Sequence, residues 1–133
     1  MSMLHQTKGF TLIELMIAIA ILTVVVGIAI PAYNGFVRES RINAATANIE
    51  PLRIALEDYW LDDHGDGYGV RNPEVWIPGG VNTLTTGSLA WQPDPGDKSM
   101  FSYSVTSTAN SYSISVTHIL EPDATQVFNK VLP

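Results

Sequence analysis

The chain has 133 residues and a formal net charge of -6, and 46% of its residues are hydrophobic, which is enough for one domain with a modest core. The few basic residues form no patch with interleaved aromatics, so composition argues against a nucleic-acid-binding surface. The absence of cysteine excludes disulfides and thiolate metal sites.

The first predicted element is an apolar segment from Phe10 to Ile30, whose only charged residue is Glu14. As a helix, this segment would reach about 30 Å, which matches the hydrocarbon thickness of a bilayer. Residues 1–9 are polar, and Lys8 supplies a cation just before the apolar segment, which favours a cytoplasmic N-terminus. The sequence therefore predicts a membrane-spanning helix with the bulk of the chain on the far side.

Beyond this segment the pattern continues as one apolar face of an amphipathic helix. Apolar side chains recur at intervals of three and four residues, at Ile42, Ala45, Ile49, Leu52, Leu56 and Tyr59. Pro31 and Pro51 each remove a backbone donor, so we predict a kink at both, with an end of the first helix at Pro31 as the alternative. Arg53 and Glu57 have the spacing of an ion pair on the exposed helix face.

The C-terminal half predicts a small antiparallel sheet. The helix should end between Leu61 and Gly65, and the proline- and glycine-rich stretch that follows predicts turns with at most one short strand. Residues 101–106 and 112–117 alternate apolar side chains with serine or threonine, which is typical of two antiparallel strands. Residues 127–132 add a third strand or cover an edge. Packing the helix on this sheet gives an α+β fold, with one long kinked N-terminal helix on a small antiparallel sheet.

The junction between the polar and apolar segments has a specific order of residues. Residues 8–16 read KGFTLIELM, and the apolar stretch and Pro31 follow. This junction resembles that of type IV pilins and of the pseudopilins of type II secretion. The resemblance covers residues 8–38, and the later helix and strands are similar to the family in layout only.

The resemblance implies that a prepilin peptidase of the inner membrane cuts between Gly9 and Phe10 and methylates the new amine of Phe10. Residues 1–9 would be the leader, residues 10–37 the transmembrane and filament-core half of the helix, and residues 38–133 the globular head. A small residue before the cut lets the backbone enter a protease cleft, and this cut retains the apolar segment. An ordinary signal peptidase, the alternative, would discard that segment.

Glu14 is the predicted assembly residue. An acid inside a membrane helix costs about 2.5 to 3.5 kcal/mol on insertion scales, so a partner is expected for it. In the family, this glutamate is thought to neutralise the N-terminal amine of a neighbouring subunit, which here would be the amine of Phe10. The alternative is a favourable interaction with the dipole of its own first helical turn, worth up to about 1 kcal/mol, and the two roles are compatible.

The function implied by the resemblance is that of a structural subunit of a type IV pilus, for adhesion, twitching motility or DNA uptake, and not an enzyme. Its partners would be other copies of itself in a helical filament, the prepilin peptidase and an inner-membrane assembly platform. It would lie in the inner membrane before assembly and in the extracellular pilus afterwards. A minor pilin or secretion pseudopilin is one alternative, and a membrane-tethered binding module or enzyme is another. No cofactor or direct nucleic-acid site is predicted.

A cluster of acidic residues after the helix is the one candidate for a metal site. Asp62, Asp63 and Asp66, with His64 between them, resemble the opening of an EF-hand loop, but Pro73 stands where that loop needs its final glutamate. A solvated turn that ends the helix is therefore the prediction, and a calcium site of another type is the alternative.

The C-terminal region lacks the disulfide that many pilins use to close a loop there. Strand pairing, or packing from Phe128, Val131 and Leu132, is expected to hold it instead. The serines between Ser99 and Ser115 occupy alternate strand positions and lack the sequence context of a catalytic nucleophile.

Overall fold

The computed structural model describes residues 9–62 and 65–133; the predictions that involve Lys8, Asp63 and His64 lie outside the described residues. The chain forms two compact units that divide between Val37 and Arg38. Its elements are α1 (Leu12–Ala47), α2 (Ile49–Leu61), β1 (Arg71–Trp76), α3 (Thr83–Thr86), β2 (Phe101–Thr108), β3 (Ser111–His118) and β4 (Gln126–Val131).

The first unit consists of the apolar half of α1. Every described residue from Gly9 to Phe36 is exposed, and Phe10 is exposed over 90% of its surface. The helix counted from Leu12 to Leu61 is long and apolar enough to cross a membrane, by its length and composition. Because no described residue of this unit covers these side chains, they require burial by lipid or by other chains.

The helix is interrupted at one residue near the second of its two prolines. α1 continues through Pro31, so the alternative prediction of a helix end there is not what the structure has. The helix stops at Ala47, and Asn48 separates it from α2. Pro51 has no N–H to donate to the carbonyl of Ala47, so the helical ladder is weakened where the interruption falls.

Asn48 stabilises this interruption with its own polar groups. Its backbone N–H and its side-chain Nδ2 both donate to the carbonyl of Ala44, at 3.0 and 3.1 Å. The hydroxyl of Tyr103 donates to Asn48 Oδ1 at 2.9 Å. The break between the helices is therefore bonded to the sheet as well as to the preceding turn.

The sheet has the strand order β1-β2-β3-β4, and all neighbouring strands are antiparallel. The predicted central pair is confirmed, and its tight turn lies at Ala109 and Asn110. β4 is the predicted third strand, and it occupies one edge. β1 is the single short strand of the proline-rich stretch, and its pairing shifts between Arg71 and Glu74, where Pro73 has no N–H to donate.

The core of the second unit lies between the helices and one face of the sheet, which confirms the α+β prediction. The predicted helical face is buried except at its ends, where Ile42 and Tyr59 are half-buried. The fully buried core side chains include Leu52, Leu56, Tyr68, Leu84, Val105, Ile114 and Val116. Burial of apolar surface, at about 25 cal/mol per Å², contributes most to holding the two layers together.

Candidate functional site

The start of α1 is organised by reciprocal hydrogen bonds between Thr11 and Glu14. The N–H and the hydroxyl of Thr11 donate to Glu14 Oε2 at 2.9 and 2.8 Å, and the N–H of Glu14 donates to the Thr11 hydroxyl oxygen at 3.3 Å. Because α1 begins at Leu12, these two residues form a capping box. This contact was not predicted. Its sequence signal is a threonine followed three residues later by a glutamate, just ahead of an apolar stretch.

The capping box leaves Glu14 with room for a second partner. The Glu14 side chain is exposed, and within the described part of the chain its Oε1 accepts no hydrogen bond. Gly9, Phe10 and Thr11 are exposed and non-helical, so the predicted cleavage junction is accessible backbone ahead of a capped helix. One carboxylate oxygen therefore caps the helix, and the other can accept a proton donor from outside the chain.

The apolar half of α1 presents no free polar donor in its middle. Thr23 is the polar side chain there, and its hydroxyl donates to the backbone carbonyls of Ile19 and Ala20 at 2.9 and 2.8 Å. This back-bonding satisfies the hydroxyl inside its own helix. Beside it lies a shallow groove lined by Ala20, Ile21, Val24 and Val25. The surface is therefore suited to lipid or to another apolar helix.

The acidic cluster after α2 is only partly described. Asp62 follows the last turn of α2, and Asp66 accepts a hydrogen bond from the hydroxyl of Tyr59 at 3.2 Å. Asp63 lies outside the described residues. Within residues 9–62 and 65–133, no group of three or more acidic or histidine side chains is placed to hold a metal ion.

Two arginines of α1 hold the turn between β3 and β4. Arg38 Nε and Arg41 Nη1 lie 3.2 and 3.0 Å from the two carboxylate oxygens of Glu121. The far end of β4 is held as well, because the N–H of Leu132 donates to the carbonyl of Asn110 at 2.8 Å. The cysteine-free C-terminal region is thus attached at both ends and paired to β3 between them.

Packing from β4 follows the alternation of the strand. Phe128 and Leu132 pack against the core, as predicted. The prediction for Val131 is wrong, since this side chain is 75% exposed. Val127, Asn129 and Val131 occupy the alternate positions that face away from the helices, so Val131 cannot reach the core.

A polar network joins α2 to the C-terminal strand. The carboxylate of Glu57 accepts hydrogen bonds from Lys130 Nζ at 2.7 Å, from the Tyr112 hydroxyl at 2.7 Å and from the Tyr68 hydroxyl at 3.3 Å. The hydrogen bond to Glu57 raises the pKa of Lys130, and burial together with Glu57 raises the pKa of Tyr112. Both groups therefore keep their protons, and the network stays bonded at neutral pH.

The network corrects one prediction. Arg53 does not pair with Glu57; it donates instead to Glu50, at 2.8 Å from Nε and 2.5 Å from Nη2. Glu57 lies on the side of α2 that faces β3 and β4. Lys130 and Tyr112 donate hydrogen bonds to its carboxylate there. Spacing along the helix could not reveal these partners, because they come from strands distant in sequence.

Arg71 is a second residue whose role was not predicted. Its side chain is fully buried, and it donates to the carbonyl of Tyr68, to Ser107 Oγ at 3.1 Å and to Ser88 Oγ at 3.0 Å. Its Nε lies 3.3 Å from a carboxylate oxygen of Glu74. It thereby joins β1 to β2 and to the loop after α3. A single arginine in a turn-rich stretch carries no local signal of such burial.

The chain is similar in sequence to known proteins, and the similarity includes the N-terminal segment described above. A family model described as the prokaryotic N-terminal methylation motif matches residues 4–30. The chain is 33% identical over 96 residues to the type IV major pilin protein PilE1 of Neisseria gonorrhoeae, covering 61% of this chain and 53% of that protein. It is 42% identical over 55 residues to the type IV major fimbrial protein FimA of Dichelobacter nodosus, covering 41% of this chain and 35% of that protein.

The matched region is limited to part of each relative. The chain spans about half the length of the gonococcal pilin that it matches, and about a third of the fimbrial protein. No solved structure matches the chain significantly. The N-terminal motif, the apolar helix behind it and the similarity to major pilins nevertheless agree with one another. The chain therefore carries a prokaryotic N-terminal methylation motif and is similar to type IV major pilins over about half of its length.

Proposed function

We propose that this chain is a structural subunit of a type IV pilus filament and not an enzyme. The observation that carries the proposal is the exposure of every described residue from Gly9 to Phe36, in a helix whose N-terminus is capped by Thr11 and Glu14. A single copy cannot keep this apolar surface in water. Bundled with the same segment of other copies, it buries that surface at a gain of about 25 cal/mol per Å².

Processing and location follow from the same segment. A prepilin peptidase cuts between Gly9 and Phe10 and methylates the new amine of Phe10. The precursor lies in the inner membrane through residues 10–37, and an assembly platform transfers it into the extracellular filament, where residues 38–133 form the outer surface. The exposed, non-helical backbone at Gly9 and Phe10 supports this order of events, because a protease needs extended chain.

Glu14 directs assembly. Its Oε2 stays on the capping box, while its Oε1 accepts the amine of Phe10 from a neighbouring copy as that copy enters the filament. The pairing removes two charges from an apolar environment, where either charge alone is costly. The capping and neutralising roles therefore use different oxygens of one carboxylate.

The relatives favour a major subunit, because PilE1 and FimA carry the name of major pilins or fimbrial proteins. Adhesion, twitching motility and DNA uptake are the roles in which such a filament serves. A minor pilin or a secretion pseudopilin would share the processing and the helix, and would differ in abundance.

Mass spectrometry of protein sheared from cells tests the proposal. Abundant chain that begins at methylated Phe10 is the expected result. Processed chain that stays in the membrane fraction, with little in the sheared material, would instead identify a minor pilin or pseudopilin. An unprocessed N-terminus in a fully functional protein would overturn the proposal in favour of a membrane-tethered module. Gly35→Ala serves as a matched control for Gly9→Val, because a side chain at Gly35 meets open space; only the Gly9 variant should remain uncut.

A further inference from the structure

An exposed apolar patch lies at one end of the sheet in the second unit. It consists of Met100, Ile119 and Leu120, which are exposed over 49%, 47% and 59% of their surfaces. The N–H of Ile119 donates to the carbonyl of Met100 at 3.0 Å, which extends the β2 and β3 pairing one position beyond Phe101 and His118. Residues opposite each other on antiparallel strands are close neighbours, so Met100 and Ile119 form one surface.

The position of this patch along the chain suggests what covers it. Leu120 precedes Glu121, which is bonded to Arg38 and Arg41 of α1. Arg38 is the first residue of the second unit, and only the short stretch from Ile30 to Arg38 separates it from the end of the apolar segment. The patch is therefore next to the residues through which the second unit continues from the apolar segment of α1.

The turn that carries the patch is held in a defined conformation. His118 Nδ1 accepts a hydrogen bond from the N–H of Leu120 at 3.1 Å, and the carbonyl of His118 accepts one from the N–H of Glu121 at 2.9 Å. With the two arginines on Glu121, these bonds fix the turn from both sides. Apolar side chains on a fixed turn lose little conformational entropy when they are covered.

We propose that Met100, Ile119 and Leu120 form a bilayer-contact surface by which the head rests on the membrane before assembly. This inference rests on the proposed function, since it requires the apolar half of α1 to lie in that membrane. Aliphatic side chains enter the boundary between headgroups and acyl chains by burying apolar area. Charges of both signs lie near the patch, with Arg38 and Arg41 on Glu121 and with Asp97 and Asp123 nearby in the chain, so burial of apolar area and not headgroup charge is the driving force of the proposed contact.

The absence of cysteine from the chain allows a direct test with the full-length protein. Leu120→Cys is labelled with a polarity-sensitive fluorophore and reconstituted into phosphatidylcholine vesicles that contain lipids brominated near the headgroup. Val131→Cys is the matched control, because Val131 is 75% exposed on β4. Val24→Cys reports on the apolar half of α1. We expect quenching at position 120 that is about threefold or more above that at position 131, as for a side chain at the lipid boundary.

Three other outcomes would overturn the inference in different ways. Quenching at position 120 no greater than at 131, with position 24 quenched, removes the bilayer contact and leaves the proposed function intact. No quenching at position 24 removes the membrane location as well, and with it that part of the proposed function. A blue shift at position 120 that grows with the ratio of protein to lipid, without bromolipid quenching, means that a second copy covers the patch.

Discussion

Lys130 on β4 places its ammonium 2.7 Å from the carboxylate of Glu57 on α2, which ties the C-terminal strand to the helix without a disulfide. Tyr112 and Tyr68 donate to the same carboxylate, so one side chain of α2 receives three hydrogen bonds. Charge-assisted hydrogen bonds of this kind are stronger than neutral ones. The attachment of β4 should therefore depend on Glu57 more than on any exposed ion pair.

Glu57→Ala should lower the free energy of unfolding by about 1 to 2 kcal/mol, since it leaves three donors without their acceptor and the site is partly open to solvent. Urea-induced unfolding followed by tyrosine and tryptophan fluorescence measures the change. Glu50→Ala is the matched control on the same helix, because the Glu50 and Arg53 pair is exposed, and it should leave stability unchanged. Equal losses in the two variants would contradict a special role for Glu57.

Stability should fall as the pH is lowered past about 6.5, the ordinary pKa of histidine. Burial lowers the pKa of His118, and Arg41 lowers it further, while Glu121 opposes the change. Because the folded pKa is below the unfolded one, the fold favours neutral His118. The stabilisation is complete above the unfolded pKa and is lost as the pH falls toward the folded pKa.

The melting temperature between about pH 7.5 and about pH 5 measures this effect. Protonation would also remove the acceptor at Nδ1 that holds the N–H of Leu120. His118→Asn should flatten the pH dependence across this interval. A variant with the same slope as the native chain would assign the effect to other groups.

Gly67→Ala should destabilise the second unit more than Gly65→Ala. Both glycines have positive φ, +65° and +81°, and a side chain in that region costs about 1 to 2 kcal/mol. A Cβ at Gly67 would also clash with the carbonyl of Ala109, whereas one at Gly65 meets open space. The total for Gly67→Ala is expected to be about 3 kcal/mol or more. Similar urea midpoints for both variants would argue against the close approach.

Three substitutions separate the capping role of Glu14 from its assembly role. Glu14→Gln keeps a side chain that can complete a capping box but removes the charge, while Thr11→Val keeps the charge and removes the two hydroxyl contacts of the capping box. If neutralisation drives assembly, Glu14→Gln should abolish surface filaments, and Thr11→Val should retain them in part. Both should still be cut after Gly9. Glu39→Gln, an exposed acid further along α1, is the control and should assemble normally.

Electron microscopy and immunoblots of sheared protein provide the measurement. Normal filaments with Glu14→Gln would contradict a role for the charge. Loss of cleavage in that variant would contradict the separation of processing from assembly.

The local patterns were sufficient for most of the fold. Apolar residues that recur every 3.6 positions located the buried helix face that includes Leu52 and Leu56, and apolar residues at every second position located β2 and β3. Each repeat determines which side of a helix or strand can be buried. The junction at Gly9 and Phe10 is a short sequence motif, so it can be recognised without a structure. The capping box of Thr11 and Glu14 also has a recognisable sequence motif, although it was not predicted.

The hydrogen-bond and ion-pair partners in the second unit could be identified only from the tertiary structure. The spacing along the helix predicted an ion pair between Arg53 and Glu57, but the sheet places Lys130 and Tyr112 at the carboxylate of Glu57 instead. Arg71 is likewise buried only because β2 and the loop after α3 surround it. The sequence by itself determined the long apolar helix, the two periodic layers and the N-terminal methylation motif, since these depend on neighbours in the chain. The tertiary structure decided the ion pairs and buried polar contacts, because their partners meet only when the helix and sheet pack.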